Sequence, residues 1–202
     1  DIVVHSTTKY INGHSDVVGG AVIAKCKVVH EDLAWWANCT GITGSPFDSF
    51  ITTRGLRTLS VRMKQHEENA SAVVESLNKH PAVDQVFYPG LETHATHRIA
   101  AQQQTGFGAM FSFTLNQDEI CQKTFVKHLQ LFTLAESLGG VESLICHPAT
   151  MTHAALSPDA LKNAGIGSNL FRLSVGIEDA QDLINDLNTA LSRSTLKALK
   201  AS

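Results

Sequence analysis

The chain has 202 residues, 43% of them hydrophobic, and a formal net charge of −3, enough to bury a substantial core as one large domain or one and a half ordinary ones. With no dense run of Lys or Arg, that balance excludes an electrostatic binder of nucleic acid or of a membrane surface, and no stretch approaches the ~18 to 20 consecutive apolar residues of a membrane span. Small-molecule chemistry or protein contacts remain.

The chain opens on Asp1 and enters a strand at once, with neither an initiating methionine nor a basic-then-apolar leader, so it reads as cut and not as begun. Ile2-Val3-Val4 is a β-branched run leading into His5-Ser6-Thr7-Thr8-Lys9-Tyr10. The chain tightens at Gly13-His14-Ser15-Asp16, and Val17 to Ala24 reads as a second buried strand. Lys9 therefore sits on a loop between strands. An amine beside several hydroxyls is a solvated lysine in a polar turn, a point charge for phosphate, or a nucleophile that forms a Schiff base with an aldehyde whose phosphate the hydroxyls bind.

Glu31 to Asn38 reads as a short helix with Leu33, Trp35 and Trp36 facing packing partners, followed by the turn Gly41-Ile42-Thr43-Gly44. Ser45-Pro46-Phe47-Asp48 is a helix start: serine as N-cap, proline in the first turn, and an acid placed well for the helix dipole. Helix is expected from there towards His80-Pro81, broken near Gly55, with Ala70, Val73, Val74 and Leu77 as its buried stripe. Arg54 and Arg57 lie on one side of it, facing either solvent or an anion.

Pro81 marks a boundary, which divides the chain into residues 1–80 and 81–202. A strand over Val83 to Tyr88, a polar helix around Thr96 to Gln104 and an alternating strand through Phe111, Phe113 and Leu115 follow. Asp118 to Leu129 is expected to be helical. Ser157-Pro158-Asp159 opens another helix that Gly165 stops, Phe171 to Val175 is a short strand, and Ile177 to Leu199 a terminal helix. Strand and helix thus alternate around one sheet in a small α/β or α+β domain.

Several motifs are incomplete or missing. Gly106-Phe107-Gly108 does not complete a dinucleotide fingerprint, and no phosphate-loop motif occurs. Cys26, Cys39, Cys121 and Cys146 are scattered without a C-x-x-C pair, which suits a reducing cytoplasm. Among ten histidines, His94 and His97 stand at i, i+3, and His147 and His153 lie close together, but no Cys/His metal pattern accompanies them. No metal site is expected, and His5 and His14 flank the lysine turn as supporting groups.

The stretch Ser6-Thr7-Thr8-Lys9-Tyr10-Ile11-Asn12-Gly13-His14-Ser15-Asp16, with Gly20 after it, resembles the cofactor-lysine signature of the Cys/Met-metabolism family of pyridoxal-phosphate enzymes. Within that family the chain is most similar to the C-terminal half of the bacterial cystathionine γ-synthases. The resemblance implies fold type I, the aspartate-aminotransferase-like α/β fold: residues 1–80 would end the cofactor-binding large domain and its connecting helix, and 81–202 would form the smaller C-terminal domain. It implies pyridoxal 5′-phosphate as a Schiff base on Lys9, with Ser6 and Thr8 as phosphate donors.

Arg172 is an arginine inside the apolar run Phe171 to Val175, where a charge is uncommon unless paired. Alone it is a structural ion pair or a ligand clamp. The resemblance makes it the arginine that binds the substrate α-carboxylate in a planar fork. The small-residue loop Leu134 to Glu142 lets backbone approach a ligand closely. By resemblance Ser137 orients the lysine and the carboxylate, Glu136 receives the ammonium of a second amino acid, and Asn38 is a polar contact on the substrate side, or otherwise a helix-end cap. The implied reaction is γ-replacement of O-succinylhomoserine by cysteine, a transsulfuration step of methionine biosynthesis. Related γ-lyases and sulfhydrylases are the alternatives, and Glu136 argues against methionine γ-lyases, which tend to be apolar there. The family implies amino-acid substrates and a homotetramer built as a dimer of dimers, without nucleic-acid or membrane partners. A chain holding only this half is expected to be a non-catalytic assembly piece.

Overall fold

The computed structural model describes residues 1–201, without side-chain detail at residues 200 and 201. The chain divides into two units, residues 1–61 and the stretch from Arg62 onward. The division falls inside the long helical region, whereas the boundary expected at 80/81 follows the end of that region.

In the first unit, β1 (Ile2–Ser6) pairs antiparallel with β2 (Gly20–Ala24), in register from Ile2 opposite Ala24 to Ser6 opposite Gly20. Both strands were expected to be buried. They are open instead: every residue of β1 is exposed, Val4 at 71%, and Val22 and Ile23 of β2 are exposed too. Only Gly20 to Ala24 of the second apolar run is strand, although Val17 before it is buried. α1 (Lys27–Thr40) starts a turn earlier than expected and closes on Gly41, whose φ of 70° lets its N–H reach the Asn38 carbonyl. Trp35 and Trp36 pack edge to face on each other and remain 58% and 60% exposed. Their expected partners are not supplied by this stretch of chain. α2 (Pro46–Leu56) begins as predicted, with Asp48 N–H donating to Ser45 Oγ at 3.3 Å. It stops just after Gly55, and α3 (Leu59–Asn78) follows.

The second unit is built on a five-stranded sheet. Its strands are β3 (Val83–Phe87), β4 (Met110–Leu115), β5 (Thr133–Leu134), β6 (Leu144–Cys146) and β7 (Leu170–Ser174), in the spatial order β3-β4-β7-β6-β5. All neighbours are antiparallel except β5 and β6. The alternation predicted for β4 holds, with Phe111, Phe113 and Leu115 buried. Two other helices, α4 (His97–Gln103) and α5 (Gln122–His128), precede β5, and α6 (Pro158–Asn163) precedes β7. The core is an aromatic cluster of Phe113, Phe125 and Phe171 with centroids 5.5 to 6.3 Å apart, joined by Leu183, Leu187 and Leu191 of α7 (Ala180–Arg193).

Two helices are shorter than their patterns suggested, for one reason. Residues 119–121 pair with 194–196: Cys121 N–H donates to the Ser194 carbonyl at 2.9 Å and Leu196 N–H to the Glu119 carbonyl at 2.8 Å, around a bridge between Ile120 and Thr195. Backbone groups used across this bridge are lost to helix, so α5 starts only at Gln122, and the terminal helix splits into α7 and α8 (Leu196–Ala201).

Candidate active site

The loop from β1 to β2 is closed at its neck and at its tip. At the neck, Thr7 N–H donates to the Gly19 carbonyl (2.9 Å), while Thr8 Oγ1 accepts from Gly19 N–H (3.0 Å) and donates to the Gly19 carbonyl (3.3 Å). At the tip, Asn12 N–H reaches the Thr7 carbonyl (3.0 Å) and Gly13 N–H the Lys9 carbonyl (2.8 Å). Gly13 takes φ of 73°, which a side chain rarely tolerates. Asn12, fully buried, donates through Nδ2 to Asp16, and its carbonyl meets His14 Nδ1 at 2.7 Å. Lys9 is thus held half-buried on a loop with fixed backbone, with Ser6 exposed at the end of β1 and the Thr8 hydroxyl bonded at the neck.

Gly55 of α2 fixes the tip from outside. A Cβ on it would run into the Asn12 backbone, so only glycine lets the helix lie this close to the lysine loop. Beside them is a cavity of about 200 Å³ lined by His14, Asp16, Ile51, Arg54, Gly55 and Thr58. Arg57 does not line it. Asn38 is exposed in the last turn of α1, where its carbonyl accepts the closing bond from Gly41.

The second cluster follows from sheet topology. Because β5 and β6 run parallel, the chain must cross from the end of one to the start of the other, and residues 135–143 are that crossing. The crossing is glycine-rich, with Gly139 at φ of 79°, and it is laid along β7. Arg172, in the middle of β7 between Cys146 and Ser112, donates from Nη2 to the carbonyls of Glu136 (2.8 Å) and Ser137 (3.2 Å). Its Nε is buried without a hydrogen-bond partner. A planar cation held by one edge, with a buried donor left over, suits a carboxylate far better than a surface ion pair. Ser137 is half-buried, and the Glu136 side chain is exposed while its backbone holds the guanidinium.

Ser6, Thr8 and Lys9 therefore stand together in the first unit, with Asn38 on its α1, and Glu136, Ser137 and Arg172 stand together in the second. Sequence reasoning missed the residues that hold these groups in place. Gly139 N–H donates to Ser174 Oγ (2.8 Å), and Ser143 donates to Glu178 from both its N–H (2.6 Å) and its Oγ (2.8 Å). Density of glycine and serine around an arginine-bearing strand was the available signal. Among the described residues, no group of three His, Cys, Asp or Glu gathers as metal ligands. His147 instead bonds Thr150 (2.7 Å) and the Ser168 carbonyl (2.8 Å).

A family model described as Cys/Met metabolism PLP-dependent enzyme matches residues 1–192. Cystathionine gamma-synthase of Escherichia coli (strain K12) is 57% identical over 187 residues, covering 93% of this chain and 48% of that protein. Cystathionine beta-lyase of Coxiella burnetii is 51% identical over 192 residues, covering 95% of this chain and 50% of that one. The crystal structure of cystathionine gamma synthase from Xanthomonas oryzae pv. oryzae in complex with aminoacrylate and cysteine superposes with a TM-score of 0.91 at 61% identity, over 96% of this chain and 50% of that one. The chain spans about half the length of each of these three relatives.

Proposed function

The chain belongs to the Cys/Met-metabolism family of PLP-dependent enzymes, and from that membership we propose that it is the C-terminal portion of a cystathionine γ-synthase, joining cysteine to O-succinylhomoserine with release of succinate. Its α/β fold with a mixed sheet is the C-terminal portion of fold type I. In this reading residues 1–80 complete the large domain and 81–202 form the small one. The longer protein assembles as a homotetramer, a dimer of dimers. Among the described residues no helix is long and apolar enough to cross a membrane.

The residues present fit the family's cofactor. Lys9 supplies an amine, and Ser6 and Thr8 supply hydroxyls on alternate positions of a loop whose backbone is fixed by Gly19 and Gly55. Thr8 would exchange its bond to the Gly19 carbonyl for one to phosphate. When bound, the cofactor supplies an electron sink for negative charge at Cα and Cβ of the substrate. Arg172 holds the α-carboxylate and orients the Cα–H bond, and Ser137 steadies the same carboxylate from the crossing loop. Lys9 Nζ takes the proton from Cα and, once that proton has been handed on to the bound cofactor, would take one from Cβ. The Cγ–O bond breaks with succinate leaving as its anion, the cysteine sulfur bonds Cγ as its thiol proton is lost, and Lys9 returns protons to Cβ and Cα.

The observation that best supports γ-replacement is the exposed acid of Glu136, on the loop whose carbonyl at that residue accepts from Arg172 Nη2 (2.8 Å). An acid on that loop is available to the ammonium of a second amino acid. The names of the relatives support a reaction of the cystathionine synthase and lyase type and include both. Steady-state assay of the full-length enzyme on O-succinylhomoserine with cysteine, sulfide or water as acceptor is the test. Cystathionine formed with cysteine is the expected product; cleavage of cystathionine without γ-replacement, or preference for sulfide, would replace this reading by a lyase or a sulfhydrylase.

A second reading applies to the 202 residues alone. β1 and β2 are open on both faces and the tryptophans of α1 are uncovered. That favours a piece which does no chemistry by itself and holds the cofactor weakly. Absorbance of the isolated chain titrated with pyridoxal phosphate tests this: a protein-bound band that disappears in Lys9→Ala would contradict it.

A further inference from the structure

The crossing loop 135–143 sets the direction in which Arg172 points, because its Nη2 is tied to the loop carbonyls of residues 136 and 137. What fixes the loop therefore fixes the guanidinium. Its first anchor is strand-like, Ala135 N–H to the Ile145 carbonyl at 2.9 Å. Further along, Gly139 N–H is held by Ser174 Oγ, and the Val141 carbonyl accepts from Ile177 N–H at 2.9 Å. The last anchor differs in kind. Ser143, fully buried, gives both its N–H and its hydroxyl to the Glu178 carboxylate and accepts Gly176 N–H at 2.8 Å. It is a carboxylate accepting two bonds, of the short and strong charge-assisted type.

Glu178 is itself held from α3. Asn69 Nδ2 donates to the carbonyls of Glu178 (2.7 Å) and Gly176 (3.1 Å), and His66 Nδ1 lies 2.7 Å from the Val175 carbonyl. There is no slack between these parts: a Cβ on Gly176 would meet both the Glu178 carboxylate and the Val141 carbonyl. A continuous path thus runs from α3 through Glu178 and Ser143 into the loop, and through the loop carbonyls to Arg172.

We propose that Glu178 is a positioning residue for substrate binding: by gripping Ser143 it holds loop 135–143 at the height that aims the Arg172 guanidinium at the substrate carboxylate. The inference rests on the reading of Arg172 as the carboxylate clamp. Glu178 touches no substrate and acts through the loop. Gln at this position keeps an oxygen for Ser143 N–H and an amide for Ser143 Oγ, whereas Ala keeps neither.

Glu178→Ala, Glu178→Gln and Arg172→Lys in the full-length, cofactor-loaded enzyme make the test, read by kcat and KM, thermal melting and amide hydrogen exchange. Glu178→Ala is expected to raise KM for the amino-acid substrate about tenfold, with kcat within about threefold, as for a lost ground-state contact. Gly139 and Ser143 amides should exchange faster while those of β4 stay protected. Glu178→Gln should recover most of the KM. If Glu178→Ala lowers the melting temperature but leaves KM and loop exchange as they were, or if Gln behaves as Ala does, Glu178 is structural only and the inference is overturned. Should Glu178→Ala fail to fold, Ser143→Ala, which removes one of the two bonds to Glu178 together with the one from Gly176 N–H, must still raise KM by about threefold. An Arg172→Lys enzyme with unchanged KM would sink the clamp reading itself, an outcome distinct from an intact clamp that ignores Glu178.

Discussion

Single residues do most of their work here through backbone. Arg172 is held by two backbone carbonyls and not by an acid, which is what the proposed carboxylate clamp requires. Gly55 is the comparable case in the first unit, admitted against Asn12 only because it has no side chain. Gly55→Ala should cost about 1 to 3 kcal/mol by overpacking, measured by denaturant unfolding, and should weaken cofactor binding in the longer protein by displacing the lysine loop. An unchanged midpoint would mean that α2 yields without cost. At this scale Lys9 and Arg172 stood out in the sequence through the family's lysine signature and through a charge inside an apolar strand, and their roles came from the resemblance. Glu178 and Ser143 were not, since a glutamate after a strand and a serine in a loop ordinarily face water, and only the fold shows them facing each other.

Elements are joined by a small number of buried polar groups, and these are where substitution should tell. Asp186 of α7, 8% exposed, accepts from Gln130 N–H (2.8 Å), Leu131 N–H (2.9 Å) and Phe132 N–H (3.2 Å), tying the entry to β5 onto the helix. Asp186→Ala orphans three donors and should cost at least about 3 kcal/mol, with Asp186→Asn intermediate; thermal melting decides. His66 on α3 is held below its ordinary pKa first by burial, with Arg62 adding to the effect, against an opposing pull from its bond to Val175 and from Glu178. The unfolded chain then binds the proton that the folded one refuses, so stability is full above the unfolded value near 6.5 and falls as pH drops below it. His80, also lowered by burial, adds a slope of the same sign. Melting temperature should decline from pH 7.5 to 5.5, less steeply in His66→Gln; equal slopes would remove His66 from the account. Capped helices and the alternating β4 were readable because their signals are local. β5 and β6 were not, being two and three residues long, and the break between α7 and α8 depends on a bridge to residues distant in sequence.

At the scale of the whole molecule, the two units differ in how completely this chain buries them. The second has a closed aromatic core, while the first presents β-branched strands and tryptophans to solvent. The sequence pattern marked those residues as ones that something covers, but a hydrophobic pattern names no partner, and the expectation of burial failed there. The chain spans about half of the relatives it was compared with, and the lysine loop and the carboxylate clamp proposed for it both lie within that half. Lys9 is the residue on which the proposed cofactor chemistry depends. Borohydride reduction of the full-length, cofactor-loaded protein, followed by peptide mass spectrometry, should find the phosphopyridoxyl group on the peptide containing Lys9, with the label gone in Lys9→Ala. A label on any other lysine would contradict it.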